Sequence, residues 1–583
     1  MTAVRRQSHP RDEGLTVAAW RFWLVCAALL GLLCALVGRL ALLQWIDQDR
    51  GAAFLKHQGE LRAVRAAEIP AYRGVITDRR GEPLAVSTPV VTLTANPQLL
   101  KDAQHIADLA RALGEDELSL RARLDAHADK QYMYLARQQT PDLARRILAM
   151  KLPGVRGERE YRRYYPVGEV TAQLLGFTNR DGVGIEGLEK AWDDVLRGHP
   201  GRKKYIKDRH GDAVRDIGVE AEAQPGSPLQ LSIDLRLQYL QHRELQRAVA
   251  ETQASAGAVV TLDAWTGEIL AMTNHPVFNP NSRSGYTPAA ARNRVVTDAF
   301  EPGSTVKPLT LVAALESGEY TIDSIIDTSP GRVRVGSKVL PDPSNYGPIT
   351  LSQVIEKSSQ VGVTKVAQRL GHEPVFQVFR RFGLGESSAI GFPGERSGEL
   401  RQRTHWSEIE QVTLAFGYGL TATPLQLAHA YSVFANKGRQ VPLTLLRRDP
   451  DVEPIQRKVV DEEIVVQVNK VLERVTSDYG TGTQARVAGF AVGGKTGTVH
   501  KVGPGGYQDH EYLAFFVGVA PIDDPRYVTV VVIDEPRGNS YGGGSAAAPV
   551  YSRITEGVLR LTNTVPKALL SDRANLASVG ASS

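Results

Sequence analysis

An apolar run near the N-terminus constrains this chain more than any other feature. All 17 residues from 22 to 38 are apolar or glycine, Arg39 interrupts, and the run resumes over 40–46. As a helix rising ~1.5 Å per residue, 22–46 would span about 37 Å, enough to cross a bilayer core of ~30 Å. A cleaved signal peptide would have a shorter apolar core and a small-x-small cleavage site, and no such site follows Gly38. We therefore expect an uncleaved transmembrane anchor over 22–46. Arg5, Arg6, Arg11 and Arg21 precede it, while Asp47 and Asp49 follow. The positive-inside tendency then makes 1–21 a cytoplasmic tail and leaves the bulk of the chain outside. Arg39 is costly at membrane depth unless it snorkels to the outer interface or faces a partner helix.

The remaining sequence is of ordinary globular type. The 583-residue chain is 42% hydrophobic and 23% charged, with room for roughly two or three cores. Its net charge of +5 is spread out, and no long Lys/Arg block suggests nucleic acid. Both cysteines, Cys26 and Cys34, lie inside the apolar run, so no disulfide framework or cysteine metal site is open to the rest. The 13 histidines show no metal-ligand spacing. No metal and no cofactor are expected.

Residues 47–225 read as one region. Residues 73–85 (Arg-Gly-Val-Ile-Thr-Asp-Arg-Arg-Gly-Glu-Pro-Leu-Ala) alternate and turn at Arg80-Gly81, which predicts a hairpin. Apolar spacing predicts helices over 102–127 and 139–151. Glycines and a proline in 163–168 and 182–189 suggest tight turns. No catalytic constellation stands here, so a structural or partner-binding role is expected. Residues 221–228 (Ala-Glu-Ala-Gln-Pro-Gly-Ser-Pro) have the composition of a linker. After them a strand (229–233), a helix (235–249), a strand (256–262), a turn (263–268) and a strand (269–272) open a domain with an antiparallel sheet. A mostly helical stretch, 305–480, follows, and strands return at 487–498, 512–520 and 526–533. The end, 564–583, reads as a flexible tail. The fold class is multi-domain α+β.

Chemistry enters at Glu301-Pro302-Gly303-Ser304-Thr305-Val306-Lys307-Pro308. If Ser304 opens the helix that 309–315 continue, Ser304 and Lys307 share one face, one turn apart. A hydroxyl and an amine then meet without histidine, as a lysine-activated nucleophile requires. Helix-start N–H groups favour the developing negative charge. Ser-x-x-Lys alone is weak, so partners must be sought. Lys357-Ser358-Ser359-Gln360-Val361-Gly362 and then Lys495-Thr496-Gly497-Thr498 follow in order. This trio, in this order, matches histidine-free serine acyltransferases. Ser358 taken by itself could be no more than a helix cap.

From the anchor to about residue 560, the chain resembles a class B penicillin-binding protein, the peptidoglycan transpeptidase family. Besides the trio, the likeness rests on 73–85, 163–168, 184–186, 415–420 (Ala-Phe-Gly-Tyr-Gly-Leu), 423–428 (Thr-Pro-Leu-Gln-Leu-Ala) and 480–483 (Gly-Thr-Gly-Thr). The anchor sequence and 76–87 are similar to the division-specific branch. The resemblance implies a pedestal (penicillin-binding protein dimerisation-type) domain over 47–225 and a serine β-lactamase-like transpeptidase domain over 226–563. It implies that Lys307 takes the proton of Ser304, that Ser358 relays it, and that Lys495 lowers the pKa of Lys307. Gln360, Thr496, Gly497 and Thr498 would hold substrate. The Ser304 and Thr498 N–H groups would form the oxyanion hole, and Gly497 would leave room for the donor peptide. Tyr541 and Gly542 form a possible cleft wall; Tyr418 and Trp265 are expected to pack. The implied partners are stem peptides of lipid-linked nascent glycan, β-lactams, a septal SEDS-type (FtsW-like) glycosyltransferase and other divisome membrane proteins, at the bacterial inner membrane.

Gln360 departs from the family, whose second motif is Ser-x-Asn, and puts its amide one methylene farther out. His500 replaces a frequent basic residue and is expected at the solvent-facing rim of the cleft. The Gln360 departure keeps a second reading in view, a catalytically weakened scaffold that activates a septal glycosyltransferase. A β-lactamase or β-lactam sensor is a third.

Overall fold

The structure, a computed structural model, describes residues 18–42, 54, 64–207, 213–503, 505–538 and 541–566. Most of the expected cytoplasmic tail (1–17), the last anchor residues (43–46) and the end of the C-terminal tail (567–583) lie outside the described residues.

The chain divides into two compact units. One comprises 1–69, 127–131 and 200–223. It holds helix α1 (Ala19–Ala41), 23 residues with none buried. At ~1.5 Å per residue α1 is about 35 Å long, the length a bilayer core requires. Its length and apolar composition are those of a helix able to cross a membrane. The same unit contains an antiparallel sheet of Val64–Ile69, Gly201–Lys207 and Ala213–Ala221, in that order.

The other unit begins with the expected hairpin. Strand β1 (Ile76–Thr77) pairs antiparallel with β2 (Pro83–Ala95). The Asp78 carboxylate shapes the turn by accepting the N–H groups of Arg80 (2.8 Å) and Glu82 (2.9 Å). The single helix expected over 102–127 is two helices, α2 (Ala103–Leu113) and α3 (Glu117–Asp125). Gly114 separates them at φ +71°, a left-handed C-cap that ends a helix. Strand β3 (Met133–Gln139) precedes α4 (Pro141–Ala149), and β4 (Val155–Tyr164) pairs along β2.

The segment expected to be a linker is packed. Gly226 donates to the Tyr72 carbonyl (3.0 Å) and Ser227 to that of Val195 (3.0 Å). A Cβ on Gly226 would fall 1.7 Å from the Leu196 carbonyl oxygen, so Pro and Gly here serve close packing. Strand β5 (Leu229–Gln230) then pairs parallel with β1. Ile76, Leu84 and Tyr165 belong to the same buried cluster as Leu231, Val260 and Leu309. The compact units therefore do not follow a division at 225.

Helix α5 (Leu235–Thr252) and strands β6 (Ala256–Asp263) and β7 (Ile269–His275) lead into the catalytic region. The helical stretch is interrupted by three small two-stranded sheets, one of them the hairpin of β8 (Arg332–Val335) and β9 (Lys338–Pro341). The late strands are β10 (Gly493–Gly503), β11 (Gly506–Ala520) and β12 (Tyr527–Asp534). Together they form a five-stranded antiparallel sheet, in the order β7-β6-β12-β11-β10. Val259, Phe516 and Val531 pack on one face with Leu245 of α5 and Ile554 of the helix Ala548–Leu561. Their neighbours Val260, Val517 and Val530 pack on the other face with Tyr431 and Val433 of the helix Pro424–Ala435. Burial on both faces explains why these strands read as continuous apolar runs. It leaves β10 as an edge.

Candidate active site

Ser304 lies in a 3₁₀ turn, Gly303–Val306, and Lys307 begins helix α6 (Lys307–Glu316). This corrects the expectation that Ser304 opens the α-helix. Pro308 has no N–H, so the α-type bond back to Ser304 cannot form, and the Lys307 N–H reaches the Ser304 carbonyl instead. Gly303 takes φ +53°, and its N–H donates to Gly417 O (3.2 Å). A Cβ on Gly417 would come within 2.2 Å of the Gly303 carbonyl oxygen. The segment 415–420 thus braces the turn backbone against backbone. Tyr431 adds a hydrogen bond from its hydroxyl to Thr305 O (2.6 Å). Within 302–314 only Ser304 escapes full burial.

The Lys307 amine is held by the second motif. It donates to Ser358 O (2.7 Å), Ser358 Oγ (3.2 Å) and Ser359 O (3.4 Å), three acceptors for three donors. None of these three bonds goes to Ser304. Ser358 connects α7 (Leu351–Glu356) to α8 (Gln360–Leu370) at φ +57°, a left-handed conformation costly for a residue with a Cβ. Its N–H and that of Ser359 bond back to Ile355 O (3.1 Å) and Val354 O (2.8 Å). Lys495 Nζ donates to the same Ser358 Oγ (3.0 Å). One hydroxyl therefore joins two amines from distant parts of the chain.

Both amines are out of solvent, at 1% and 0% exposure. Burial pushes the Lys307 amine down to about 7, with the Asp342 carboxylate pulling the other way. Lys495 is pushed well below the usual amine range, by burial first and then by the Lys307 charge. With a shared Oγ, the two nitrogens lie no more than about 6 Å apart, and two unit charges at that distance repel by about 3 kcal/mol in an effective dielectric of ~20. Burial and this repulsion both favour the neutral form of the amines.

Strand β10 carries Lys495, Thr496, Gly497 and Thr498 opposite Val517, Phe516, Phe515 and Ala514 of β11. A Cβ on Gly497 would lie 2.8 Å from Thr305 Cγ2 and 3.0 Å from Phe515 Cδ2. Gly497 thus lets β10 press on the nucleophile turn, a different reason from the expected room for substrate. The Thr496 hydroxyl lies 3.4 Å from Lys495 Nζ and 2.8 Å from the hydroxyl of Thr481. Thr498 is exposed and accepts the Gly543 N–H (2.9 Å). Gly542 lies beside it, since a Cβ there would sit 3.7 Å from Thr498 Oγ1. Tyr541, 44% exposed, stacks on Tyr512 (4.5 Å), and Tyr512 packs on exposed His500 (4.6 Å). Tyr418 packs on Phe416 and Tyr507. Trp265 donates to the carbonyls of Pro525 and Ala435 and lines a cavity of about 770 Å³ that includes none of the motif residues.

Gln360 begins α8 and is fixed through its backbone, the N–H donating to Asp342 Oδ1 (2.5 Å). None of the Lys307 bonds goes to Gln360. Asp342 also accepts the Ser359 hydroxyl (2.5 Å) and the Val361 N–H (3.1 Å). Asp342 was not singled out from the sequence, and Thr481 was noted only within the Gly-Thr-Gly-Thr signature. Their contacts cross 17 and 15 residues, beyond any local pattern.

Known proteins resemble this chain along most of its length. The penicillin-binding protein transpeptidase domain matches residues 257–556, and the penicillin-binding protein dimerisation domain matches 68–231. The peptidoglycan D,D-transpeptidase FtsI of Escherichia coli K12 is 43% identical over 583 residues, covering 99% of this chain and 98% of the relative. The probable peptidoglycan D,D-transpeptidase PbpC of Pseudomonas aeruginosa is 40% identical over 542 residues, covering 93% and 95%. Among solved structures, the aztreonam complex of penicillin-binding protein 3 from Mycobacterium tuberculosis is similar with a TM-score of 0.66 and 28% identity, covering 86% of this chain and 99% of that one. The transpeptidase domain of Burkholderia pseudomallei penicillin-binding protein 3 is similar with a TM-score of 0.53 and 38% identity, covering 58% and 97%. The chain belongs to the class B penicillin-binding proteins, as a division-type D,D-transpeptidase.

Proposed function

We propose that this chain cross-links peptidoglycan stem peptides during septal wall synthesis, through an acyl-enzyme on Ser304. The observation that carries the reading is the pair of buried lysines meeting on Ser358 Oγ, one of them a turn after Ser304, the one residue of the nucleophile turn that is not buried. In the first step neutral Lys307 turns from Ser358 to Ser304 and takes its proton. Ser304 Oγ attacks the penultimate D-alanine carbonyl. The N–H groups of Ser304 and Thr498 receive the oxyanion, each worth roughly 3–4 kcal/mol. The amide C–N bond then breaks, and Ser358 relays the proton to the departing D-alanine nitrogen. The hydroxyls of Thr496 and Thr498, with Lys495, hold the D-alanine carboxylate.

The donor peptide adds as a strand on the β10 edge, between Gln360 on one side and Tyr541 and Gly542 on the other. An amine from a second stem peptide attacks the ester carbonyl and gives its proton to Lys307, which passes it to Ser304 Oγ as the ester C–O bond breaks, forming a 4→3 cross-link and restoring the hydroxyl and the neutral amine. Water in its place gives a carboxypeptidase side activity. A β-lactam acylates Ser304 in the same way and leaves a slowly hydrolysed ester. In this reading α1 anchors the chain in the inner membrane with its N-terminus in the cytoplasm. The pedestal, 47–225, and the anchor engage an FtsW-like septal glycosyltransferase and other divisome membrane proteins, while 226–563 carry out catalysis.

The test is adduct mapping. After reaction with benzylpenicillin, peptide mass spectrometry is expected to find the penicilloyl group on Ser304, and Ser304→Ala is expected to take up none. An adduct elsewhere, or rescue of a depletion strain by Ser304→Ala, would refute the reading.

A further inference from the structure

Asp342 stands outside the three motifs, yet its carboxylate is committed to the second of them. It follows β9 in a segment held by its own N–H on Gly331 O (2.9 Å), and it is 8% exposed. Oδ1 accepts the N–H groups of Gln360 and Val361, the first two residues of α8. Oδ2 accepts the hydroxyl of Ser359, whose oxygen in turn caps α8 by accepting the Gly362 N–H (2.8 Å). Two of the N–H groups left open at a helix start, and the local cap itself, are thus satisfied by a carboxylate from a distant hairpin.

The turn held in this way is the one that Lys307 reads. The carbonyls of Ser358 and Ser359 take two of the three Lys307 bonds, and the Ser358 hydroxyl takes the third. Ser358 is in left-handed backbone, so its geometry must be imposed from both sides. The end of α7 holds one side through Ile355 O and Val354 O. Asp342 holds the other. The charges around Lys307 are few. Lys495 approaches from β10 and Asp342 from behind the turn. On neighbouring elements, Glu356 of α7 is paired with Arg474, and Glu301 is occupied by Tyr507 and the Gly419 N–H.

We propose that Asp342 is a positioning residue of the acyl-transfer site, whose negative charge fixes the Ser358–Gln360 turn and balances the cationic form of Lys307. This inference rests on Ser304 and Lys307 acting as described above. Its sign follows from Coulomb's law, since the carboxylate favours protonated Lys307 and removing its charge extends the neutral amine to lower pH.

The test is the rate of acylation by a β-lactam across pH 5–9. Wild type is compared with Asp342→Asn, Asp342→Glu and Asp342→Ala, with thermal unfolding recorded for each. Asp342→Asn keeps the shape and removes the charge. It is expected to move the acid limb of the profile down by about one pH unit and to slow the plateau about tenfold, as for a slightly misplaced catalytic group. Asp342→Glu is expected to return the limb towards the wild-type position. Asp342→Ala is expected to unfold at lower temperature as well, because α8 loses its cap. An Asn variant with the wild-type limb overturns the inference, whatever its plateau or melting temperature. Failure of wild type itself to acylate at Ser304 would instead refute the underlying reading.

Discussion

Two buried clusters of charged groups are handled in opposite ways. Below β2, Glu189 is fully buried and accepts Arg73 Nε (2.5 Å) and Arg163 Nε (2.6 Å). Arg73 also bonds Asp193 (2.7 Å) and the Gly182 carbonyl (3.1 Å). Two guanidinium groups face two carboxylates, and the cluster ties together 73–74, 163 and 182–193, the glycine-rich signatures of that region. In the active site two amines share one hydroxyl, and Asp342, whose carboxylate acts on Lys307, is engaged by Ser359, Gln360 and Val361. Balanced buried charge holds a shape. A buried amine pushed below its usual range by burial yields its proton, as a catalytic base must.

Substitutions that exchange these two behaviours would break the contrast. Lys307→Met, or Lys495→Met, is expected to lower the acylation rate by about a thousandfold, the scale of a lost general base. The melting temperature is expected to hold or rise, because a buried amine and its desolvation cost have gone. Glu189→Gln is expected to do the reverse, costing about 3–5 kcal/mol of stability while the folded protein acylates at the wild-type rate. Chemical denaturation and stopped-flow acylation on the same preparations would check both. A Lys307→Met protein that unfolds, or a Glu189→Gln protein that stays stable, would end the comparison.

Two smaller effects sharpen it. Gly497→Ala sets a Cβ 2.8 Å from Thr305 Cγ2. It is expected to slow acylation about tenfold or more by displacing the nucleophile turn, with little change in the pedestal. Gln360→Asn restores the family amide, yet Gln360 is held by its backbone and leaves Lys307 untouched. Its acylation rate is expected to stay within about threefold of wild type, as for changes worth a few tenths of a kcal/mol.

What was legible in the sequence was local. Ser304 and Lys307 are one turn apart, and the apolar strands 256–263 and 527–534 carry their own pattern, so both could be read directly. Pro308 was in view, but its effect on the turn shows only when the bond it forbids is traced to the Ser304 carbonyl. Asp342 and Thr481 act across 17 and 15 residues, through contacts that exist only after folding. The linker at 221–228 misled for a physical reason. Pro and Gly mark a mobile joint and a tight backbone contact alike, and Gly226 belongs to the second kind.

The central claim is that buried Lys307 is a neutral amine at physiological pH and serves as the base for Ser304. The pH dependence of wild-type acylation tests it most directly. The rate is expected to rise with pH through about 7, where burial places the Lys307 amine, and then to level. A rate that is flat down to pH 5, or one that begins to rise only near the ordinary lysine value of about 10, would contradict it.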